Sequence, residues 1–210
     1  MGKFLSRTFN LFCTLKLDKK RLACLVLFAL TQPFLASCVA YSNPKVDSTT
    51  NIRVEKGRLS LSDVELWFLS WNRRGWGMVF PIPIPFDVSD DAKPPFHVTI
   101  GLTPDRAGFS FDPRKMFLWE VSDKKIAPSH IARGHHIKSQ VVIGTIPRSP
   151  VTAITLQENV STILTLEFDV SPPDPSQTFY VEIEGLLLNG KPYPVPRIRF
   201  EQDAGIWPVK

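Results

Sequence analysis

The sequence predicts an all-β domain, and more closely an antiparallel, immunoglobulin-like β-sandwich of about seven to nine short strands. The first observation behind this prediction is that short apolar stretches alternate with a period of two residues, as in strands that bury one face. The second is that clusters of Gly, Pro, Asp and Ser separate these stretches, as turns do between strands. The third is that the chain contains 19 prolines, most of them beyond residue 80, which disfavours long helices.

Three of the predicted strands carry apolar residues at every second position. Their apolar faces consist of Phe96, Val98, Ile100 and Leu102, of Leu164, Leu166, Phe168 and Val170, and of Phe179, Val181 and Ile183. Because successive side chains of a strand point to opposite faces, each set can pack into one core. Further strands are predicted over residues 59–71, 116–121, 140–146 and 153–156.

The sequence also predicts a hairpin near the C-terminus. Asn189-Gly190 between two strand-like stretches is the signal of a type I′ turn, which pairs Leu188 with Lys191. Continuing this pairing puts three prolines at positions whose N–H would point away from the partner strand. They are Pro192, Pro194 and Pro196. Residues 193–200 should therefore begin as a sheet edge that is protected against further pairing.

A second proline-rich segment has the same spacing. In residues 80–86 a proline stands at every second position, which removes hydrogen-bond donors from one side of the chain only. We interpret this segment as another edge strand or as a polyproline-like stretch laid on the core.

The charge and the cysteines are concentrated at the N-terminus. The chain has 25 Lys and Arg and 20 Asp and Glu; six of the bases and one of the acids lie in residues 1–37, which leaves 19 of each beyond. A basic-patch argument for nucleic acid therefore fails for residues 38–210. The last of the three cysteines is Cys38, so the following domain has no internal disulfide, Cys-ligated zinc or cysteine nucleophile.

Residues 16–38 have the parts of a secretory signal. Four bases in residues 16–21 precede an uncharged apolar run over residues 22–30, and Leu35-Ala36-Ser37-Cys38 follows. This tetrapeptide resembles the lipobox of bacterial lipoproteins, so the chain is similar to a lipoprotein precursor. The resemblance implies that the Cys38 thiol receives a diacylglyceryl group, that the preceding bond is cut, and that the new amine is acylated. The alternatives are an uncleaved membrane helix over residues 22–41, cleavage without lipid, and a buried core helix in a cytosolic protein.

The resemblance also implies a domain organisation and an address. Residues 1–37 would be a removed signal peptide, residues 38–51 a lipidated N-terminus with a flexible tether, and residues 52–210 the β-sandwich, which resembles no characterised family. Val39 follows Cys38, and by the sorting rule of the family the absence of Asp there implies the periplasmic face of the outer membrane. The membrane is then the first partner, bound through the lipid on Cys38.

The most suggestive segment for a binding site combines tryptophan and arginine. Trp71, Arg73, Arg74 and Trp76 would form a partner surface if exposed, and the alternative is that the Trp rings pack in the core with the arginines in a loop. Residues 130–136 hold three histidines, but their spacing is not a zinc pattern, and we interpret the run as a solvated loop.

These observations predict a lipid-anchored envelope protein that binds or supports an envelope protein or polysaccharide. The sequence offers no catalytic motif, so we predict that it is not an enzyme and holds no cofactor or metal. The alternatives are an enzyme with a dispersed active site and a carrier of an apolar ligand. A binder should expose aromatic side chains near Trp71 and Trp76, an enzyme should have a cleft with convergent polar groups, and a carrier should have an internal cavity.

Overall fold

The structure, a computed structural model, describes residues 34–46, 53–55, 58–80, 84–119 and 124–208. In these ranges the chain forms strand segments joined by short turns, with one 3₁₀ turn, Pro113–Lys115. The strands are β1 (Phe34–Val46), β2 (Arg53–Glu55), β3 (Arg58–Ser60), β4 (Val64–Ser70), β5 (Arg74–Phe80), β6 (Ile84–Asp87), β7 (Phe96–Pro104), β8 (Phe109–Phe111), β9 (Met116–Trp119), β10 (Lys125–Ile126), β11 (His130–Lys138), β12 (Val141–Ile146), β13 (Ser149–Pro150), β14 (Ile154–Thr155), β15 (Ser161–Phe168), β16 (Phe179–Ile183), β17 (Leu186–Leu188), β18 (Lys191–Pro192) and β19 (Ile198–Pro208).

The strands form two large sheets and one small one, and the strand pairs are antiparallel. Sheet A has the order β10-β9-β16-β19-β1-β5-β6. Sheet B has the order β12-β11-β15-β7-β4-β3-β2, with β13 also paired to β11. Sheet C has the order β14-β8-β17-β18.

Sheets A and B pack face to face through a layer of phenylalanine rings. Phe96 of sheet B meets Phe179 of sheet A edge to face, with ring centroids 5.6 Å apart. The ring of Phe68 in sheet B lies edge to face with that of Phe200 in sheet A, with ring centroids 6.3 Å apart. The rings of Phe179 and Phe200 are stacked, with centroids 4.6 Å apart. The predicted all-β antiparallel sandwich is thus confirmed.

The predicted alternation is confirmed in the core strands. The inward residues of β7, β15 and β16 are almost fully buried, and the partly buried Val170 packs against them. The described residues hold nineteen strand segments rather than seven to nine, because turns divide stretches that the pattern leaves whole. For example, a turn in which Leu61 N–H bonds Val64 C=O separates β3 from β4 within predicted residues 59–71.

The C-terminal hairpin forms as predicted. Asn189 and Gly190 have φ values of 52° and 76°, Leu188 pairs with Lys191, and β18 is the last strand of sheet C. The edge ends sooner than residue 200, however. Ile198 begins β19, which lies between β16 and β1, because the chain crosses from sheet C into sheet A after the prolines. The other proline-rich segment is also an edge, since β6 is the last strand of sheet A; residues 81–83 lie outside the described residues.

The N-terminal part of the domain differs from the prediction of a flexible tether over residues 38–51. Residues 38–46 belong to β1, which pairs with β19 on one side and, up to Ala40, with β5 on the other. Residues 41–46 are mostly polar, and a polar stretch of this kind fits both a flexible coil and a paired strand. The sequence alone therefore does not distinguish the two conformations. Residues 47–51 and the signal-like residues 1–33 lie outside the described residues. Among the described residues, no helix has the length and apolarity needed to cross a membrane.

Candidate functional site

Glu167 is the centre of a polar row on the outer face of sheet B. It lies in β15 in register with His97 of β7 and His130 of β11. The distances from its carboxylate oxygens to His97 Nε2 and His130 Nδ1 are 3.7 and 3.8 Å. Arg148, from the loop between β12 and β13, donates from Nε at 3.2 Å and from Nη2 at 2.7 Å. The strand register therefore brings two imidazoles, and the β12–β13 loop brings a guanidinium, to the carboxylate of Glu167, a residue that is only 6% exposed.

The carboxylate of Glu167 acts as an ion-pair partner. Its hydrogen bonds from Arg148 lower its pKa, the charges of Arg148, His97 and His130 lower it further, and burial opposes them. A general base that works near neutral pH needs a pKa raised toward that range. Glu167 instead binds Arg148 through two hydrogen bonds, with the two imidazoles 3.7 and 3.8 Å from its carboxylate.

A surface pocket of about 230 Å³ adjoins this row; it is lined by Trp71, His97, Ala132, Arg133 and Thr165. The indole N–H of Trp71 donates to Thr99 Oγ1 at 2.9 Å, and Thr99 bonds Thr165 at 3.0 Å. The Arg133 guanidinium lies 5.3 Å from the centroid of the Trp71 ring. The strand register shifts between Ile131 and Arg133, as at a β-bulge. The volume lies below the roughly 300–1,000 Å³ typical of pockets for drug-sized ligands, so the pocket suits one small group.

Trp67 forms the neighbouring part of the same face. It is paired with Gly101 of β7 across the sheet. A Cβ placed on Gly101 would lie 1.8 Å from Trp67 Nε1 and 2.3 Å from Cε2, so the indole occupies the space that any side chain would need. The absence of a side chain at Gly101 is what allows the indole to lie this close to the strand.

The four residues of the predicted partner surface do not all reach the pocket. Trp71 lines it, whereas the side chain of Arg73 makes a bidentate contact with Asp90, with bonds of 2.8 and 3.1 Å, that raises the pKa of the guanidinium. Arg74 donates to the Asp90 carbonyl at 2.8 Å. Trp76 lies in β5 of sheet A and is 52% exposed. The alternative of core packing is also not observed, because Trp71 is half-buried and Trp76 is exposed.

Asn72 fixes the crossover from β4 to β5 that carries these residues. Its amide is fully buried and donates to Ser42 Oγ at 2.8 Å and to the Pro173 carbonyl at 3.0 Å. Ser70 Oγ lies 3.0 Å from Asn72 Oδ1 and 2.9 Å from the Ser42 carbonyl. This network ties the crossover to β1 and to the loop before β16, and so sets the position of Trp71.

The histidine-rich run is a strand and not the solvated loop that we predicted. Residues 130–136 belong to β11, where Gly134 sits opposite Leu164 in the sheet. Within this run, one glycine, three histidines and one arginine favour a loop by local composition. Pairing with β15 on one side and β12 on the other nevertheless stabilises the strand. Among the described residues, no group of three or more His, Cys, Asp or Glu side chains is arranged to hold a metal ion.

A second charged and aromatic cluster lies on the outer face of sheet A. Lys125 forms ion pairs with Glu182, at 3.2 Å, and with Glu184, and its ammonium lies 4.4 Å from the Phe117 ring centroid. Trp119 donates to Glu182 at 2.8 Å. The carboxylates of Glu182 and Glu184 are thus engaged by one lysine, and the arrangement stabilises the sheet edge.

No protein-family model, curated protein or solved structure matches this chain.

Sequence reasoning missed the residues that join Trp71 at the site. The alternation of apolar residues in β7 and β15 can be seen in the sequence, and it places His97, Thr165 and Glu167 on the face opposite the core. The pairing register of β7, β15 and β11 cannot be predicted from a local pattern, because these strands are separated by many residues along the chain. Arg133 and Arg148 reach the site only through that register.

Proposed function

We propose that the protein is a lipid-anchored envelope lipoprotein that binds an envelope polysaccharide through the pocket at Trp71. The observation that carries the binding role is this pocket, which is lined by the Trp71 indole, the His97 imidazole, the Arg133 guanidinium and the Thr165 hydroxyl. The guanidinium lies over one face of the indole, so a ligand ring would stack on the other face. A sugar ring has the matching chemistry, because its apolar face can lie on an aromatic ring while its hydroxyls bond to polar neighbours. The size of the pocket suits one sugar unit of a longer polymer.

The anchor proposal rests on the lipobox-like sequence before Cys38. In the described structure Cys38 already lies within β1, paired with Ile206 and Trp76. If the mature chain begins there, the lipid is attached at the first remaining residue of β1, within sheet A and with no intervening linker. Ser42, which touches the Trp71 crossover, is four residues further along β1, or about 13 Å at the rise of an extended strand. The pocket would then lie close to the membrane surface.

Two observations favour binding over the alternatives. The carboxylate beside the pocket is paired with Arg148 and has a lowered pKa, which does not suit a general acid or base at neutral pH. The layer between the sheets is filled by stacked phenylalanines such as Phe179 and Phe200, where a carrier would need space for its ligand.

The anchor is tested by metabolic labelling with an alkyne-bearing fatty acid in a Gram-negative host. We expect label on the wild-type protein and none on the Cys38→Ser variant, and mass spectrometry of the wild type should give an acylated N-terminal cysteine. Unchanged labelling of Cys38→Ser would refute lipidation at this position.

The pocket is tested with the soluble domain and oligosaccharides of N-acetylated amino sugars, followed by isothermal titration calorimetry, whose signal does not depend on the tryptophan that is replaced. We expect saturable binding that Trp71→Ala weakens at least about tenfold, since the stacking face is lost. Trp76→Ala is the matched control, because Trp76 lies on sheet A, and it should bind like the wild type. Equal affinity of the Trp71→Ala variant would show that the pocket is not the binding site.

A further inference from the structure

The edge strand β12 of sheet B exposes three consecutive apolar side chains. Val141, Val142 and Ile143 are 63%, 53% and 53% exposed. Successive side chains of a strand point to opposite faces, so the strand is apolar on both faces at this point. A turn with positive φ at Ser139 and Gln140 joins β12 to β11, and β12 is the last strand of the sheet.

The other sheet edges of the described residues are short or carry residues that oppose pairing. Strands β10 and β14 have two residues each, and β2 has three, two of them charged. Strands β6 and β18 contain Pro85 and Pro192. By contrast, β12 has six residues, Val-Val-Ile-Gly-Thr-Ile, with neither a charge nor a proline. Its one irregularity is a register shift on β11 between His136 and Ile137, which leaves Ile143 as an extra residue between the paired Val142 and Gly144. Long apolar edges without such protection are the ones that pair with another chain.

We propose that β12 is a docking edge that binds an extended segment of a partner protein as an added antiparallel or parallel strand. The backbone N–H and C=O groups on the outer side of an edge strand match those of an extended peptide, and the apolar side chains would give the added strand a surface on each face. This inference is independent of the pocket at Trp71, and only the exclusion of a membrane as the occupant rests on the proposed anchor at Cys38.

The charge around β12 defines the partner further. Residues 129–157 contain no Asp or Glu, while Arg133, Lys138 and Arg148 are all basic. Lys138 stands just before β12 and is exposed, so it supplies the positive charge at that end. Arg148 stands just after β12 and is also exposed, but its guanidinium is already paired with Glu167. Two copies of this chain paired edge to edge would bring like charges together, which disfavours self-association. The matching partner is an extended apolar segment flanked by acidic residues.

The position of β12 argues against a membrane as the occupant. Ser70 Oγ bonds the Ser42 carbonyl across the sandwich, and Phe68 contacts Phe200, which pairs with Pro44. Strand β4 therefore runs antiparallel to β1, and its Ser70 end is the end of sheet B nearer to Cys38. The β11–β12 turn lies at the other end of sheet B, because Ile137 pairs with Ser161 and Thr162 pairs with Leu102. The exposed apolar tip thus points away from residue 38.

The test uses fluorescent eight-residue peptides with Val, Ile or Thr in the centre and Asp at both ends. Each peptide has a matched control whose alternate backbone nitrogens are methylated, so that it cannot form strand hydrogen bonds. The proteins are the wild type, Val142→Lys and the control Leu69→Lys; Leu69 is 44% exposed but lies in the interior strand β4. Binding is measured by fluorescence polarisation, and hydrogen exchange is measured over residues 141–146.

We expect the unmethylated peptides to bind the wild type and Leu69→Lys with affinities within about twofold of each other. Binding to Val142→Lys should be at least about tenfold weaker, because the new charge would be buried against the added strand. Exchange over residues 141–146 should slow when the peptide is bound. Absence of binding, equal binding to Val142→Lys, or equal binding of the methylated peptides would overturn the proposal. So would a Val142-dependent dimer of the protein alone, which would assign the edge to a second copy.

Discussion

Gly101 offers a sharp test of the outer face of sheet B, through its substitution by alanine. The new Cβ would lie 1.8 Å from Nε1, 2.3 Å from Cε2 and 2.5 Å from Cδ1 of Trp67. No carbon atom tolerates such distances, so the indole must leave its place against β7. Trp67 is half-buried, and the displaced ring loses contact with the strand that it covers.

The expected magnitude combines two opposing terms. Overpacking at a well-packed position costs roughly 1–3 kcal/mol. Replacing a strand glycine by alanine returns about 0.5–1 kcal/mol, because the unfolded chain loses freedom. We therefore expect Gly101→Ala to destabilise the domain by about 1–2 kcal/mol, which lowers the Tm by roughly 2–8 °C for a domain of this size. In a Trp67→Ala background the clash is absent, and the same substitution should stabilise by about 0.5–1 kcal/mol.

The assay is a double-mutant cycle in urea, followed by far-UV circular dichroism so that the loss of Trp67 does not change the signal. The coupling energy between the two positions should be about 2 kcal/mol, from the sum of the two effects above. An effect of Gly101→Ala that is the same in both backgrounds would refute the contact between Trp67 and Gly101, and with it the described register of β4 on β7.

Three further substitutions test other contacts. Glu167→Gln should destabilise the domain by about 1–2 kcal/mol at pH 7, through loss of charged hydrogen bonds from Arg148. The pKa of Glu167 is lowered in the folded state, so the ionised carboxylate stabilises the domain fully above its usual pKa of 4.5. This stabilisation is lost as the pH falls through the lowered pKa. Urea titrations of the wild type and the variant should therefore give the same free energy of unfolding in acid. Asn72→Ala should lower the free energy of unfolding by about 2 kcal/mol in the same titration, because the buried Pro173 carbonyl loses its hydrogen-bond donor. A change below about 0.5 kcal/mol would contradict the hydrogen bonds of Asn72. Gly190→Ala should cost about 1 kcal/mol in thermal unfolding through its φ of 76° alone, while Gly190→Asn, which tolerates positive φ, should cost less.

The sequence alone determined the features that depend on neighbouring residues. Alternation gave the inward faces of β7, β15 and β16, because the side-chain period of a strand is a local property. Asn189-Gly190 predicted its turn for the same reason, since positive φ is a preference of those two residues. The prolines marked β6 and β18 as edges because the missing N–H belongs to the residue itself.

Only the tertiary structure decided which strands are neighbours, and with that the site. Glu167, His97 and His130 meet because three strands far apart in the chain share one register, which pairing and the common core select together. Long-range pairing likewise makes the polar stretch before Val46 part of strand β1, and the histidine-rich run strand β11. Long-range pairing supplies hydrogen bonds that local composition does not reveal, so these segments adopt a conformation that their own residues only weakly prefer.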